Sequence, residues 1–177
     1  MEFKQLIQER RSVRKYAAGK TLDRQTLETI LTQARMAASW KNSQTARTYV
    51  AFSPEAVAKV RECLPAFNQT STENACAYVV TTYVRDVAAF SQGQAVDELG
   101  NKWGAYDLGL HDSYLLLAAR DAGLDTLIMG MRDAGALRAF FSIPEYEDIM
   151  SVISLGYRDG EPALRPRKAL SEISVIK

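Results

Sequence analysis

Histidine and cysteine are scarce and no apolar run is long, and each shortage narrows what the chain can be. One histidine, His111, and two cysteines, Cys63 and Cys76, cannot make a tetrahedral metal site or a disulfide framework, and no CxxC spacing joins the thiols. The two cysteines read as reduced packing residues. The longest apolar stretch, Leu115 to Ala119, is far too short to span a bilayer. Met1-Glu2-Phe3-Lys4-Gln5 lacks the apolar core of a signal peptide. The expectation is therefore a soluble, cytoplasmic protein with no membrane partner, in which the sequon Asn68-Gln69-Thr70 is accidental. No GxGxxG loop marks a dinucleotide-binding unit. Charge of one sign is missing too: 22 basic residues face 21 acidic ones, for a net +1. No global field draws such a chain to nucleic acid, so any anion site must be built locally.

What remains is the composition of a folded protein. Apolar residues make up 47% of the 177 and charged residues 24%, which excludes a disordered chain and suits one domain over residues 1–177. Helical and strand patterns alternate, so the expected class is α+β, a mixed sheet with flanking helices. A short helix over residues 2–9 carries Phe3, Leu6 and Ile7 on one side. Asp23 N-caps a helix with Leu27, Ile30, Leu31 and Ala34 at helical spacing, ending near Ala38-Ser39. Strands are expected over 48–52, 75–84, 125–129 and 151–157. Ser53-Pro54 opens a helix that buries Val57, Val60 and Leu64, and another helix spans 134–141. The polar stretch 68–74 reads as a loop, and 91–102 as a mobile excursion. Between them and the third strand lies a helix from Gly104 to Ala122, closed by Gly123 at a left-handed C-cap. Leu108, Leu110 and Leu115 to Ala119 cover most of its circumference, so it calls for burial on nearly all sides. In so small a protein a subunit interface is the natural cover, hence a homodimer.

Four segments could carry chemistry. Arg10-Arg11-Ser12-Val13-Arg14-Lys15 holds four basic residues in six, and neighbouring guanidinium forks suit an oxyanion. Leu164-Arg165-Pro166-Arg167-Lys168 is a second basic cluster, and two such clusters at opposite ends of a neutral chain point to one shared anion. Ser39-Trp40-Lys41-Asn42-Ser43-Gln44 offers paired amide donors and acceptors of the kind a heterocycle's edge needs. Met129-Gly130 ends a strand where glycine lets a ligand approach the backbone. His111, in the central helix, reads as hydrogen-bonded structure.

In their order these pieces resemble the FMN-dependent nitroreductase family over essentially the whole chain. The resemblance rests on Arg10 to Arg14; on Ala37-Ala38-Ser39 before Asn42-Ser43-Gln44; on Ala118-Ala119-Arg120-Asp121-Ala122-Gly123-Leu124; and on Leu155-Gly156-Tyr157 before the basic tail. Where the family often has Ala-Pro-Ser and Asn-x-Gln-Pro-Trp, this chain has Ala37-Ala38-Ser39 and Asn42-Ser43-Gln44-Thr45-Ala46. The resemblance implies an intertwined homodimer with the central helix buried. It also implies that Arg10, Arg11, Ser12 and Arg14 hold the phosphate, ribityl chain and pyrimidine edge of FMN, with Arg165 and Arg167 closing on the phosphate. Ser39, Asn42 and Gln44 would reach the flavin from the partner subunit, and the backbone at Met129 and Gly130 would face its N5 and O4. Trp40, Trp103 and Tyr106 would line the substrate pocket. The implied activity is NADH- or NADPH-dependent reduction of a small nitroaromatic or quinone-like acceptor, by ping-pong hydride transfer through the cofactor. Arg14 would give electrostatic support, with no catalytic side chain and no metal. Other reactions on the same fold, namely enone reduction, reductive dehalogenation or flavin breakdown, remain open, as do a flavin-binding sensor and a module for phosphorylated partners.

Overall fold

Four strands rich in β-branched and aromatic residues form the centre of the molecule, which a computed structural model describes over residues 2–177. They are β1 (Ala46–Ala51), β2 (Ala77–Val84), β5 (Asp125–Met129) and β6 (Glu147–Gly156). The sheet order is β1-β2-β6-β5 with antiparallel ladders throughout. β2 and β6 lie in the middle and are buried along almost their whole length, as strands covered on both faces must be. Alternate residues feed two cores. Tyr78, Val80, Val152, Leu127 and Met129 belong to one, packed with Val60 of α3 (Pro54–Glu62) and Leu137 of α6 (Ala134–Phe141). Ala77, Val79, Ile153 and Leu155 belong to the other, under Leu27 and Ile30 of α2 (Arg24–Ala34) and Leu115 and Ala119 of α5 (Lys102–Asp121). The expected α+β class with flanking helices is the one found, although the ladders of the four-stranded sheet are antiparallel rather than mixed.

Local signals fixed several helix ends. Asp23 Oδ1 accepts from the Thr26 amide at 2.8 Å, and Ser53 Oγ from that of Ala56 at 3.2 Å. Gly123 has φ +83°, and the Leu124 amide donates back to Ala119 at 2.8 Å, the left-handed C-cap that glycine permits. α1 (Phe3–Glu9) buries none of its residues in the single chain.

Other boundaries moved. The polar stretch expected to be a loop overlaps α4 (Ala66–Ser71). There the hydroxyls of Thr70, Ser71 and Thr72 donate to the carbonyls four residues earlier, so polar side chains satisfy themselves within the helix. The excursion expected over 91–102 holds a hairpin, β3 (Phe90–Ser91) and β4 (Gln94–Ala95). Its turn residues Gln92 and Gly93 both have positive φ, 50° and 75°, the twist that suits a two-residue hairpin. α2 stops at Ala34, short of the expected Ala38-Ser39, and β6 starts at Glu147 rather than Ser151. Within one chain α5 is not covered all round. Asp107, Leu108, His111, Asp112 and Leu115 face inward, while Tyr106 and Tyr114 are exposed and Leu110 and Leu117 only half-buried. No helix of the described residues is long and apolar enough to cross a membrane.

Candidate functional site

The two basic clusters meet. After α1 the chain runs along the outer edge of β5, where the Val13 amide donates to the Thr126 carbonyl at 2.9 Å and Ser12 bridges Thr126 in parallel. Val13 and Tyr16 turn into the core. The Tyr16 hydroxyl lies 2.9 Å from Ser154 Oγ, and the Ala17 amide donates to Tyr157 at 2.8 Å. Gly156 makes room for this crossing, since a Cβ there would sit 2.6 Å from Tyr16 Cδ1. Burial pushes the Tyr16 phenol well above its usual range, the Ser154 hydrogen bond offsetting only part of this.

The tail is fixed against the same segment. Asp125 is sealed from solvent, and its carboxylate takes Arg120 Nη1 at 3.0 Å and Arg158 Nε at 2.9 Å. The Asp159 amide donates to Lys15 O at 3.0 Å, and Lys15 pairs with Asp159 at 2.7 Å. Between segment and tail lies a cavity of about 330 Å³, walled by Arg10, Arg11, Ser12 and Arg14 on one side and by Arg165 and Arg167 on the other. Its two carboxylates are committed, Asp159 to Lys15 and Glu161 to Arg158 at 2.9 Å. Cationic charge in the cavity is thus left in excess. Burial first, then the charges of Arg167 and Arg11, hold the Arg10 guanidinium below its ordinary value. Arg11 donates to the Gln8 carbonyl and, at 3.0 Å, to that of Arg10, while its buried Nε has no partner. Such an orphaned donor in a cationic wall is an acceptor's place.

A second cavity, about 370 Å³, opens beside the loop after α2 and takes in Ser39, Gln44, Thr45, Asp107 and His111, with Arg35 and Arg47 at its sides. The loop is strained: Lys41, Asn42 and Gln44 have φ of 45°, 57° and 49°, which costs non-glycine residues roughly 1–2 kcal/mol each. Tertiary contacts hold it so. The Trp40 amide donates to Asp107 Oδ2 at 2.9 Å, the Gln44 amide to Ser39 Oγ at 3.0 Å, and Arg47 to the Gln44 carbonyl at 2.8 Å. Strain kept in place by its surroundings is a mark of functional loops.

The expected residues are therefore divided. Arg10, Arg11, Ser12, Arg14, Arg165 and Arg167 share the first cavity, and Ser39 and Gln44 the second. Asn42 is exposed on the loop and lines neither. Met129 points into the core, while exposed Gly130 borders a shallow depression with Cys63 and Asp133. Trp40 and Trp103 pack at 4.8 Å and Trp103 and Tyr106 at 5.7 Å, a cluster outside both cavities. Sequence reasoning missed the anchors Tyr16, Asp125 and Arg158, and left Asp107, Arg35 and Arg47 unmentioned. Asp107 and His111 stand four apart on one helix face, which is the one local signal that could have paired them. No group of three metal-ligating side chains occurs among the described residues.

The sequence matches the nitroreductase family over residues 7–157. The chain belongs to that family. The fold agrees with it closely. A protein of Exiguobacterium sibiricum, provisionally described as a nitroreductase and solved in complex with FMN, superposes with a TM-score of 0.87 at 21% identity, covering 100% of this chain and 98% of its own. A Staphylococcus epidermidis protein, provisionally an NAD(P)H:FMN oxidoreductase, gives 0.84 at 18%, covering 99% and 96%. A gut-bacterial enone reductase of fatty acid saturation gives 0.83 at 20%, covering 99% and 97%. At these identities the likeness speaks for the fold. No curated protein matches the sequence. The matched span takes in Arg10 to Arg14 and the polar loop, whereas the tail cluster at Arg165 and Arg167 lies beyond it.

Proposed function

We propose that this nitroreductase-family protein is an FMN-dependent oxidoreductase, working as a homodimer and drawing electrons from NADH or NADPH. The carrying observation is the first cavity, in which Arg10, Arg11, Arg14, Arg165 and Arg167 converge in a chain of net charge +1. A phosphate there relieves the repulsion between Arg10 and its neighbours and gives the Arg11 Nε an acceptor. The residues present thus fit an FMN phosphate. Arg10, Arg11, Arg165 and Arg167 hold it, and Ser12 and Arg14 face the rest of the cofactor. Bound FMN supplies hydride transfer. Arg14 presents a fixed cation that favours the anionic reduced state.

The polar loop with Ser39 and Gln44 shares no lining residue with the phosphate cavity. It completes the site from the partner subunit, across the face of α5 left uncovered in one chain. The acceptor is a small nitroaromatic or quinone-like molecule, and an activated alkene fits the same chemistry. Purified protein is to be titrated with FMN by flavin fluorescence quenching. Wild type binds, and Arg10→Met with Arg167→Met weakens binding about 10- to 100-fold, as the loss of charge-assisted hydrogen bonds requires. Arg14→Met lowers the flavin midpoint potential. A colourless protein that cannot be reconstituted with FMN refutes the reading.

A further inference from the structure

We propose that His111 is a catalytic proton donor to the electron acceptor, acting from the loop cavity and oriented by Asp112. The inference rests on the flavin reading above. His111 lines the loop cavity from α5, and its Nδ1 lies 3.2 Å from Asp112 Oδ1. Behind it a hydrogen-bonded chain runs into the sheet. Thr81 Oγ1 donates to Asp112 Oδ2 at 3.2 Å and lies 2.9 Å from Ser151 Oγ, on the paired positions of β2 and β6. An ionised carboxylate only accepts, so Nδ1 carries its proton toward Asp112, and Nε2 is the atom that exchanges with the cavity. None of the hydrogen bonds among the described residues uses Nε2. Nε2 is not among the sealed unpartnered atoms, so it is open to the cavity, where a ligand can reach it.

The charged groups facing the imidazole are Asp112 and Asp107 on α5, Arg35 at the end of α2 and Arg47 on β1. Asp107 is engaged by the Trp40 amide, and Arg47 by the carbonyls of Gln44 and Ala46. Arginine does not surrender its proton. That leaves His111 as the side chain here suited to proton donation.

For an enone the step balances as follows. Bound reduced flavin would supply the hydride, two electrons and one proton, for a C–H bond at the β carbon. The alkene pair shifts to the bond between the α and carbonyl carbons and the carbonyl π pair to oxygen, giving an enolate. The Nε2–H bond of the imidazolium then breaks, and its proton goes to the α carbon. A saturated ketone and a neutral imidazole remain, and a solvent proton recharges the imidazole.

His111→Asn tests this, because the amide can still donate to Asp112 while Nε2 is gone. FMN-loaded protein, reduced with one equivalent of dithionite, is mixed with 2-cyclohexen-1-one or with ferricyanide, which takes electrons without a proton. Reoxidation by the enone is expected to slow about 100-fold or more in the variant, the usual contribution of a positioned acid. Reoxidation by ferricyanide slows far less. Independently of turnover, the proton signals of the chain's one histidine shift when 2-cyclohexen-1-one is added to oxidised protein. Equal slowing with both acceptors, an undiminished enone rate, or unmoved histidine signals overturns the proposal. A wild-type chain that does not take up FMN refutes the flavin reading and the transfer step with it. The histidine signals then decide separately whether the cavity holds the enone.

Discussion

Alanine at Gly156 should damage both the fold and the phosphate cavity, through one identifiable collision. The added Cβ would lie 2.6 Å from Tyr16 Cδ1 and 3.2 Å from both Cγ and Cε1. Carbon atoms rest about 3.5–4.0 Å apart, so the ring must retreat by about 1 Å. It has little freedom to do so. Tyr16 is 3% exposed, its hydroxyl is bound to Ser154, and the next residue is tied to Tyr157. Overpacking of this kind costs about 1–3 kcal/mol. In a domain of this size each kcal/mol moves Tm by about 2–4 °C, so a fall of roughly 2–12 °C is expected. A thermal double-mutant cycle with Tyr16→Ala isolates the cause. Tyr16→Ala alone leaves a hole worth about 3–5 kcal/mol. In that background Gly156→Ala loses its cost, a coupling of about 1–3 kcal/mol. Strictly additive penalties would refute the collision. Because Tyr16 anchors the arginine segment, Gly156→Ala should also weaken FMN binding.

Two further outcomes follow from buried charge and burial. Asp125→Asn leaves Arg120 and Arg158, only 15% and 17% exposed, without their carboxylate, and should lower the unfolding free energy in urea by about 3 kcal/mol; an unchanged midpoint would mean that the clamp is idle. Tyr49 and Tyr83 are both pushed up to about 12, by burial first and then by hydrogen bonds to Glu147 and Asp148. Unfolded tyrosines ionise near about 10, so from there upward the unfolded chain sheds protons that the folded one keeps. Stability is intact below that pH and is lost as the pH rises towards 12. Urea midpoints measured across that range should fall, and Tyr49→Phe with Tyr83→Phe should flatten the fall.

Caps at Asp23, Ser53 and Gly123 were readable because each depends on a few adjacent residues. The start of β6 was not, because Glu147 and Asp148 look wrong for a strand. Their carboxylates are satisfied by Tyr49 on β1 and by Thr82 and Tyr83 on β2, far away in the chain. α4 was hidden for the opposite reason: its polar residues resemble a loop until their hydroxyls are seen bonding backward. In the candidate site, Arg10 to Arg14 and the Arg165–Arg167 pair were legible as charge. The Trp40, Trp103 and Tyr106 trio was legible only as aromatic residues, and in space those rings pack on one another outside both cavities.

Sequence by itself determined most of the helices and sheet strands, the two basic clusters and their order, because helical period, caps and local charge are properties of neighbouring residues. Tertiary structure decided that the clusters face each other. That meeting depends on Tyr16 lying over Gly156 and on Asp125 holding Arg158. Tertiary structure also separated the polar loop from the phosphate cavity and set Asp112, the neighbour of His111, against Thr81. Contacts between residues this far apart leave no periodic mark in the chain. They exist because a buried ring or a buried carboxylate must find its partner across the fold.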